Sequence, residues 1–384
     1  MSIARTYLDI HILQTLPPSN INRDDAGSPK TATYGGVLRS RVSSQAWKRA
    51  ARTTFADQLE PQDRATRTKR IAGLVTASLA ARTGLEHDLA QRIATLLMET
   101  ALEIKAGTKA GDTAYLLFFG RRQVERIVDL VAGQGIELSA LDDATLKERL
   151  AGHKDAVRDV LRTGHPVDVA LFGRMVADIP SLNVDAATQV AHAISTHAVA
   201  TEFDYFTAVD DENTADQTGA GMIGNVEFTS ATLYRYATLG LHQLAENLSD
   251  VGAVADAAKL FVDSFARSIP SGHENSFAHR TLPSLVSVAI RTDQPVNLVG
   301  AFEEPVRARG EQGIAGASLI RLAQETNQVA AVWGATPDLV ISSYTPPTGE
   351  DASLVRDAFG APVAFPALLD TLAGEITARL ADDR

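Results

Sequence analysis

Strand-like alternation opens the chain and returns in its last third, with a block of helical periodicity between. This order constrains the fold more than any other feature. In "YLDIHIL", Leu8, Ile10 and Ile12 fall on one face and Tyr7, Asp9 and His11 on the other, the period-two pattern of a half-buried strand. "PSLVSVAIRT" (Pro283 to Thr292) and "PDLVISSY" (Pro337 to Tyr344) read as further strands, while "LFVDSFARSI" and "PALLDTLAGEITARL" carry helical apolar stripes. Residues from about 61 to 165 read as mostly helical, with Ile93, Leu96, Leu97 and Ile104 at helical spacing. A helical block set into a frame of strands and helices predicts an α+β protein whose outer segments form one domain. At 384 residues the chain is long enough for two or three structural units.

The connecting stretches carry the unusual sequences. "QTLPPSNINRDDAGSPKTATYGG" follows the first strand and predicts a long irregular loop, which is uncommon without a function. It leads to "VLRSRV", a short strand with Arg39 and Arg41 on one face, and then to "SSQAWKRAARTTFADQL". There Ser43 or Ser44 can cap a helix whose apolar stripe is Trp47, Ala50, Ala51 and Phe55. "GHPVDVALFGRMVADIPSLNV" (Gly164 to Val184) reads as strand and turn, and "DAATQVAHAISTHAVA" as a helix capped by Asp185. On such a helix His192 and His197 stand too far out of register to share a metal ion.

Gly219, Gly221 and Gly224 in "TGAGMIGNVEF" have the G-x-G-x-x-G spacing of a dinucleotide-binding loop. That loop needs a strand before it and a helix after it, so that backbone N–H groups meet a pyrophosphate. Here an acidic run, "VDDENTADQ", precedes the glycines and strand-like alternation follows them. The stretch reads as a glycine-rich excursion between two strands, and no cofactor is predicted.

The absence of cysteine removes disulfides, thiolate zinc sites and cysteine nucleophiles. No secretory pattern and no run of about eighteen apolar residues occurs, which reads as a soluble cytoplasmic protein with no membrane partner. A net charge of −11 taken alone argues against nucleic-acid binding. Its distribution says more: Lys30 to Arg52 holds six bases (Lys30, Arg39, Arg41, Lys48, Arg49, Arg52) and no acid, whereas Phe203 to Phe228 holds six acids (Asp204, Asp210, Asp211, Glu212, Asp216, Glu227) and no base. Such segregation suits an anionic polymer on one face and a docking surface on another.

Catalytic signals are weak. No nucleophile elbow, Walker A or zincin pattern occurs, and no metal site is predicted. Asp24 and Asp25 could hold a divalent ion or act as a base, although an Asx-rich turn explains them as well. His273 and His279 in "SGHENSFAHR" are candidate acids or bases in what reads by default as a surface loop. The best local signal is "RVSSQAWKR", where Gln45, Lys48, Arg49 and Arg52 share a helical face behind Ser43 and Ser44 at the N-terminus. That face suits phosphates, and a plain solvated helix has the same pattern.

Seven stretches together resemble a known family: "INRDD" (Ile21 to Asp25), "YGG" (Tyr34 to Gly36), "RVSSQAWKRA" (Arg41 to Ala50), "VDVALFGRM" (Val167 to Met175), "AHAISTHAV" (Ala191 to Val199), "DYFTAVDD" (Asp204 to Asp211) and "EFTSATLYRYA" (Glu227 to Ala237). In that order they resemble the CasC family, the crRNA-binding backbone subunit of the type I-E CRISPR Cascade surveillance complex. The helical block and the C-terminal third match more loosely.

The resemblance implies an RRM-like (ferredoxin-like) palm from residues 1–60, 166–202 and 229–384, a helical fingers insertion at 61–165 and a β-hairpin thumb at 203–228. It implies that several copies polymerise along one guide RNA. Arg23, Lys30, Arg41, Ser43, Gln45, Lys48 and Arg49 would hold phosphates and sugars without reading bases, as a guide of arbitrary sequence requires. Met175 would be an apolar contact beside the kinked guide, and Phe206 and Thr207 would wedge into the duplex formed with the target DNA strand. Because so acidic a thumb should by itself avoid phosphate, a separate expectation from the charge pattern is that its acids meet basic surface on the neighbouring copy. Further partners implied are the large, small, guide-processing and 5′-handle-binding subunits, and no catalytic residue is implied. One alternative is a metal-dependent RNA-cleaving backbone subunit of type III kind using Asp24 or Asp25; another is a single-stranded RNA-binding protein acting alone.

Overall fold

A computed structural model of the chain describes residues 4–102, 113, 116–176, 179–208, 222–308 and 312–382. The readings of Ile104, of Asp210, Asp211, Glu212 and Asp216, and of Gly219 and Gly221 lie outside the described residues. The strands are β1 (Tyr7–Ser19), β2 (Thr31–Tyr34), β3 (Val37–Val42), β4 (Ala65–Thr68), β5 (Leu117–Gly120), β6 (Thr188–Val190), β7 (Ala193–Ser195), β8 (Glu202–Ala208), β9 (Met222–Gly240), β10 (Leu285–Arg291) and β11 (Leu339–Tyr344). The helices are α1 (Ser44–Gln58), α2 (Ile71–Thr83), α3 (His87–Leu102), α4 (Arg121–Ala132), α5 (Gly135–Ser139), α6 (Asp143–Ala151), α7 (Lys154–Arg162), α8 (Val167–Phe172), α9 (Leu241–Leu248), α10 (Val254–Arg267), α11 (Glu274–Phe277), α12 (Ile314–Trp333), α13 (Asp351–Phe359) and α14 (Phe365–Asp382). The fold is α+β.

The chain divides into two compact units, one built mainly from Phe55–Thr188 and Gly240–Ala257, the other from Ala4–Thr54, Gln189–Leu239 and Ala258–Arg384. The first is largely helical. Ile71, Val75, Leu79, Ile93, Leu97, Ile127, Val128 and Leu150 bury the apolar faces of α2, α3, α4 and α6 in one core. A small antiparallel pair, β4 with β5, interrupts the helical pattern. Val167–Phe172, read as strand, is a short helix instead. An apolar run of six residues has no period long enough to separate the two structures.

The second unit is built on a sheet with the order β11-β10-β1-β9-β7-β3-β2, to which β6 and β8 add by pairing with β9. The segment read as a helix from Asp185 holds β6 and β7. Pairing of β7 with β3 on one side and β9 on the other outweighs the helical propensity of its alanines. His192 and His197 therefore lie on no helix, and Asp185 caps none. The loop after β1 is also shorter than its composition predicts: the strand continues to Ser19, with Pro17 and Pro18 beyond Leu13, the last residue in register with β10, and Thr31–Tyr34 is a strand. "YGG" makes the β2–β3 turn, with φ of +57° at Gly35 and +76° at Gly36. A two-residue hairpin turn of type I′ needs both values positive, and a Cβ on Gly35 would lie 1.6 Å from the Glu303 carbonyl oxygen.

β1 is buried on both faces, unlike the half-buried strand its alternation predicts. Asp9 and His11 are almost fully enclosed. Asp9 pairs with Arg291 (3.1 Å), accepts from Tyr236 Oη (2.8 Å) and from the Val296 amide (2.9 Å). His11 Nδ1 meets Tyr234 Oη at 2.9 Å, and its ring packs beside Tyr234 and Tyr236. Burial, with a smaller contribution from Arg291, pushes the His11 pKa down to about 3. The folded state thus keeps His11 neutral while the unfolded chain takes up a proton near pH 6.5. The stability from this group is complete above pH 6.5 and is lost as pH falls toward 3, at about 1.4 kcal/mol per pH unit. His11→Phe, which keeps the ring packing, is expected to shrink the drop in Tm between pH 7 and pH 5 by an amount corresponding to about 2 kcal/mol. Thermal melts at the two pH values check this, and an unchanged drop refutes it.

Candidate nucleic-acid interface

Helix α1 begins as its sequence predicts. The Ser43 hydroxyl accepts from the Ala46 amide (3.3 Å), which caps the helix. Trp47, Ala51 and Phe55 are buried, while Gln45 and Arg49 are exposed and Lys48 is half-buried on the other side. Burial lowers the Lys48 pKa below that of a free lysine.

The loop before β2 folds back against the start of this helix. Arg23 bridges Pro29 across a tight turn in which Asp24 Oδ1 accepts from the amides of Ala26 (2.9 Å) and Ser28 (3.0 Å). Asp24 is thereby committed to an Asx turn, and Asp25 is exposed beside it. Asn20 Nδ2 donates to the carbonyls of Gly27 and Glu227, both at 2.9 Å, and so ties the loop to β9. Asn22 Oδ1 accepts from the Ser43 amide (2.8 Å), and its carbonyl accepts from the Lys30 amide. The Lys30 carbonyl accepts in turn from the Arg41 amide. These bonds bring Arg23, Lys30, Arg41 and Ser43 together next to Gln45, Lys48 and Arg49.

Arg39, counted with this basic run, faces the other way. It is fully buried, and its guanidinium donates to the carbonyls of Ser195 (2.9 Å), Phe302 (2.8 Å), Glu303 (3.1 Å) and Tyr34 (3.2 Å). Its role is to hold the β2–β3 hairpin down.

The cations gathered at this helix differ from those that are locked into ion pairs elsewhere. Arg92, Arg122, Lys259, Arg267, Arg280, Arg321 and Arg379 each pair with a carboxylate. Among the described residues, Arg23, Lys30, Arg41, Lys48 and Arg49 have no carboxylate within 4.0 Å. Two of them meet histidines instead. Arg23 Nη1 lies 3.0 Å from His273 Nε2, and Arg41 Nη1 lies 3.1 Å from His192 Nδ1. His279, the other candidate of its loop, is buried with Nε2 3.1 Å from the Pro270 carbonyl.

Gly224, the described glycine of the motif, lies on β9. β8 pairs antiparallel with β9, with Phe206 opposite Gly224 and Thr207 opposite Ile223. A Cβ on Gly224 would sit 2.5 Å from the Phe206 ring, so this glycine seats an aromatic side chain and no phosphate. Sequence reading singled out Phe206 and Thr207 but missed Phe203 and Tyr205, which alternate with Phe206 along β8 and are 67% and 62% exposed. Their period-two spacing in "EFDYFTA" was the available signal. Phe228 packs on Phe277, whose ring also meets His273, so the hairpin base and the Arg23 loop share one support. Met175 belongs to the helical unit and is 81% exposed. Its neighbour Arg174 is buried and donates to the carbonyls of Leu182 and Leu161, both at 2.8 Å, which fixes the backbone that displays it.

Among the described residues no group of three or more His, Asp or Glu side chains is placed to hold a metal ion, and no helix is long and apolar enough to cross a membrane. No curated protein sequence matches the chain. The family model for CT1975-like proteins matches residues 8–360. Among solved structures, a chain of a "CRISPR RNA-guided surveillance complex, pre-nicking" is 33% identical, with a TM-score of 0.82 over 96% of this chain and 100% of that one. A chain of a "CRISPR RNA-guided surveillance complex" is 31% identical, with a TM-score of 0.73 over 96% of this chain and 99% of its own. A family match that spans the helical unit and most of the sheet unit, joined to full-length structural likeness, shows that the chain belongs to the CT1975-like protein family and is of the CasC type.

Proposed function

We infer that the chain is a guide-RNA-binding backbone subunit that polymerises along crRNA in a Cascade complex of type I-E and presents the guide to a target DNA strand in antiviral defence. The observation that carries this reading is the convergence of Arg23, Lys30, Arg41, Lys48 and Arg49, none with a carboxylate within 4.0 Å among the described residues, around the N-terminus of α1 in a chain of net charge −11. Unneutralised cations, the Ser43 hydroxyl and the Gln45 amide at a helix N-terminus bind phosphates and sugars of any sequence. In this reading the sheet unit is the RRM-like palm, the helical unit supplies the fingers, and the β8–β9 hairpin is the thumb. Phe206 and Thr207 act there as wedges with Phe203 and Tyr205, and Met175 is an apolar contact to the guide. Base pairing supplies specificity, and in this reading the subunit's part is to hold and present the guide rather than to catalyse. Its partners are further copies of itself and the large, small, guide-processing and 5′-handle-binding subunits, in the cytoplasm.

Co-purification of the tagged chain with its genomic neighbours, followed by sequencing of extracted RNA, tests this. Short repeat-derived guides are expected; RNA of random origin refutes the backbone role. The type III alternative, a loop aspartate cutting RNA, is weakened by the Asx turn of Asp24. Incubating the recovered complex with complementary RNA and Mg2+ separates the two: the backbone reading expects intact RNA, and cleavage lost in Asp25→Ala favours the alternative.

A further inference from the structure

We propose that His273 and His192 are positioning residues for the guide RNA, neutral imidazoles that aim the Arg23 and Arg41 guanidiniums at phosphate without neutralising them. The proposal rests on the RNA-binding reading above and adds to it two residues from distant parts of the chain.

A guanidinium has five N–H donors and no acceptor. A contact of 3.0 Å between Arg23 Nη1 and His273 Nε2 therefore makes that ring nitrogen the acceptor, and the same holds for Arg41 Nη1 and His192 Nδ1 at 3.1 Å. Burial first, then the neighbouring Arg23, lowers the pKa of His273; burial, then Arg41 and Lys30, lowers that of His192. Both rings are neutral at pH 7. A carboxylate in either place would orient the arginine equally well but would cancel the charge that attracts the polymer. A neutral acceptor fixes direction and leaves the full positive charge, which is the combination a phosphate site needs. Arg41 is braced from a second side, since its Nε donates to the Thr31 carbonyl (3.2 Å).

The backbone around His273 is shaped to deliver its ring. Gly272 lies against the Asn20–Ile21 peptide, where an added Cβ would stand 2.6 Å from the Ile21 carbonyl oxygen. His273 itself has φ of +50°, a left-handed conformation that disfavours side chains and suits glycine. Glycine at 273 would relieve that backbone, and only the imidazole would be lost.

The test is binding of the purified full-length chain to a fluorescent single-stranded RNA of mixed sequence across a series of salt concentrations, with thermal melts of every variant. His273→Gly is expected to keep or raise Tm yet lose about threefold to tenfold in affinity, the worth of one hydrogen bond that orders a charged group. His273→Gln and His192→Asn, whose amide oxygens replace the accepting nitrogens, are expected to recover most of what glycine or alanine loses there. His273→Glu and His192→Asp keep an acceptor but cancel a charge, and are expected to bind more weakly than the amide variants and to flatten the slope of log K against log salt by about 0.7 each. Equal binding and equal slopes for amide and carboxylate variants would overturn the proposal, as would wild-type affinity for His273→Gly. Lys48→Ala runs in parallel: if it weakens binding while the histidine variants do not, the RNA-binding reading stands and the positioning role falls. If the wild-type chain binds no RNA, both fall.

Discussion

Alanine at both Lys48 and Arg49 is expected to weaken binding of single-stranded RNA about a hundredfold and to flatten the salt dependence by about 1.4. Arg49 stands on the exposed face of α1 and Lys48 half-buried at the flank of the Trp47, Ala51 and Phe55 stripe, and neither has a carboxylate partner among the described residues. Each charge-assisted contact to phosphate contributes about 1.5–3 kcal/mol, so two of them give a factor of about a hundred or more. The salt slope is the sharper readout, because each cation lost from a single-stranded RNA site removes about 0.7 from it. Arg122→Ala provides the contrast, since that side chain already pairs with Asp63 at 2.5 Å in the helical unit. It is expected to leave the slope at its wild-type value. Equal slopes for the double variant and wild type would mean that α1 presents an ordinary solvated face.

How far the sequence revealed this interface depended on the range of each interaction. The α1 face was legible because its determinants are local: a serine cap, an apolar stripe and cations three and four residues apart. The inward turn of Arg39 was not, since it shares strand parity with Arg41 and only carbonyls from Ser195, Phe302 and Glu303 draw it into the core. The β6–β7 segment was misread for the same reason: its partners lie on β3 and β9, and its own alanines favour helix. His192 and His273 were noticed only as isolated histidines, because Arg41 and Arg23 stand 151 and 250 residues away. The "INRDD" and "RVSSQAWKRA" motifs meet through Asn22, which accepts from the Ser43 amide, while Asn20 ties the same loop to Glu227 of "EFTSATLYRYA".

Arg235→Ala is expected to cost about 3–5 kcal/mol of stability, seen as a Tm lower by roughly 5 °C. Arg235 is fully buried on β9, with its guanidinium 3.7 Å from the centroid of the Trp47 ring and 4.5 Å from that of Phe265. It donates to Gln14 Oε1 (2.6 Å) and to the carbonyls of Phe265 and Ala266. Burial lowers its pKa to about 9, so it stays charged at pH 7, compensated by ring faces and oxygen dipoles. Alanine would leave a cavity between two aromatic rings and strip Gln14 and the end of α10 of their donors. Arg235→Lys keeps the charge but not the planar fork that matches these partners, and is expected to recover little. Because Trp47 anchors α1 from below, loosening its seat should raise the Kd for RNA as well. The salt slope should stay at the wild-type value, since no cation is withdrawn from the interface. Melts and salt titrations of one preparation thus separate a residue that supports the RNA site from the residues that form it, and a flattened slope in Arg235→Ala would move Arg235 into the second group.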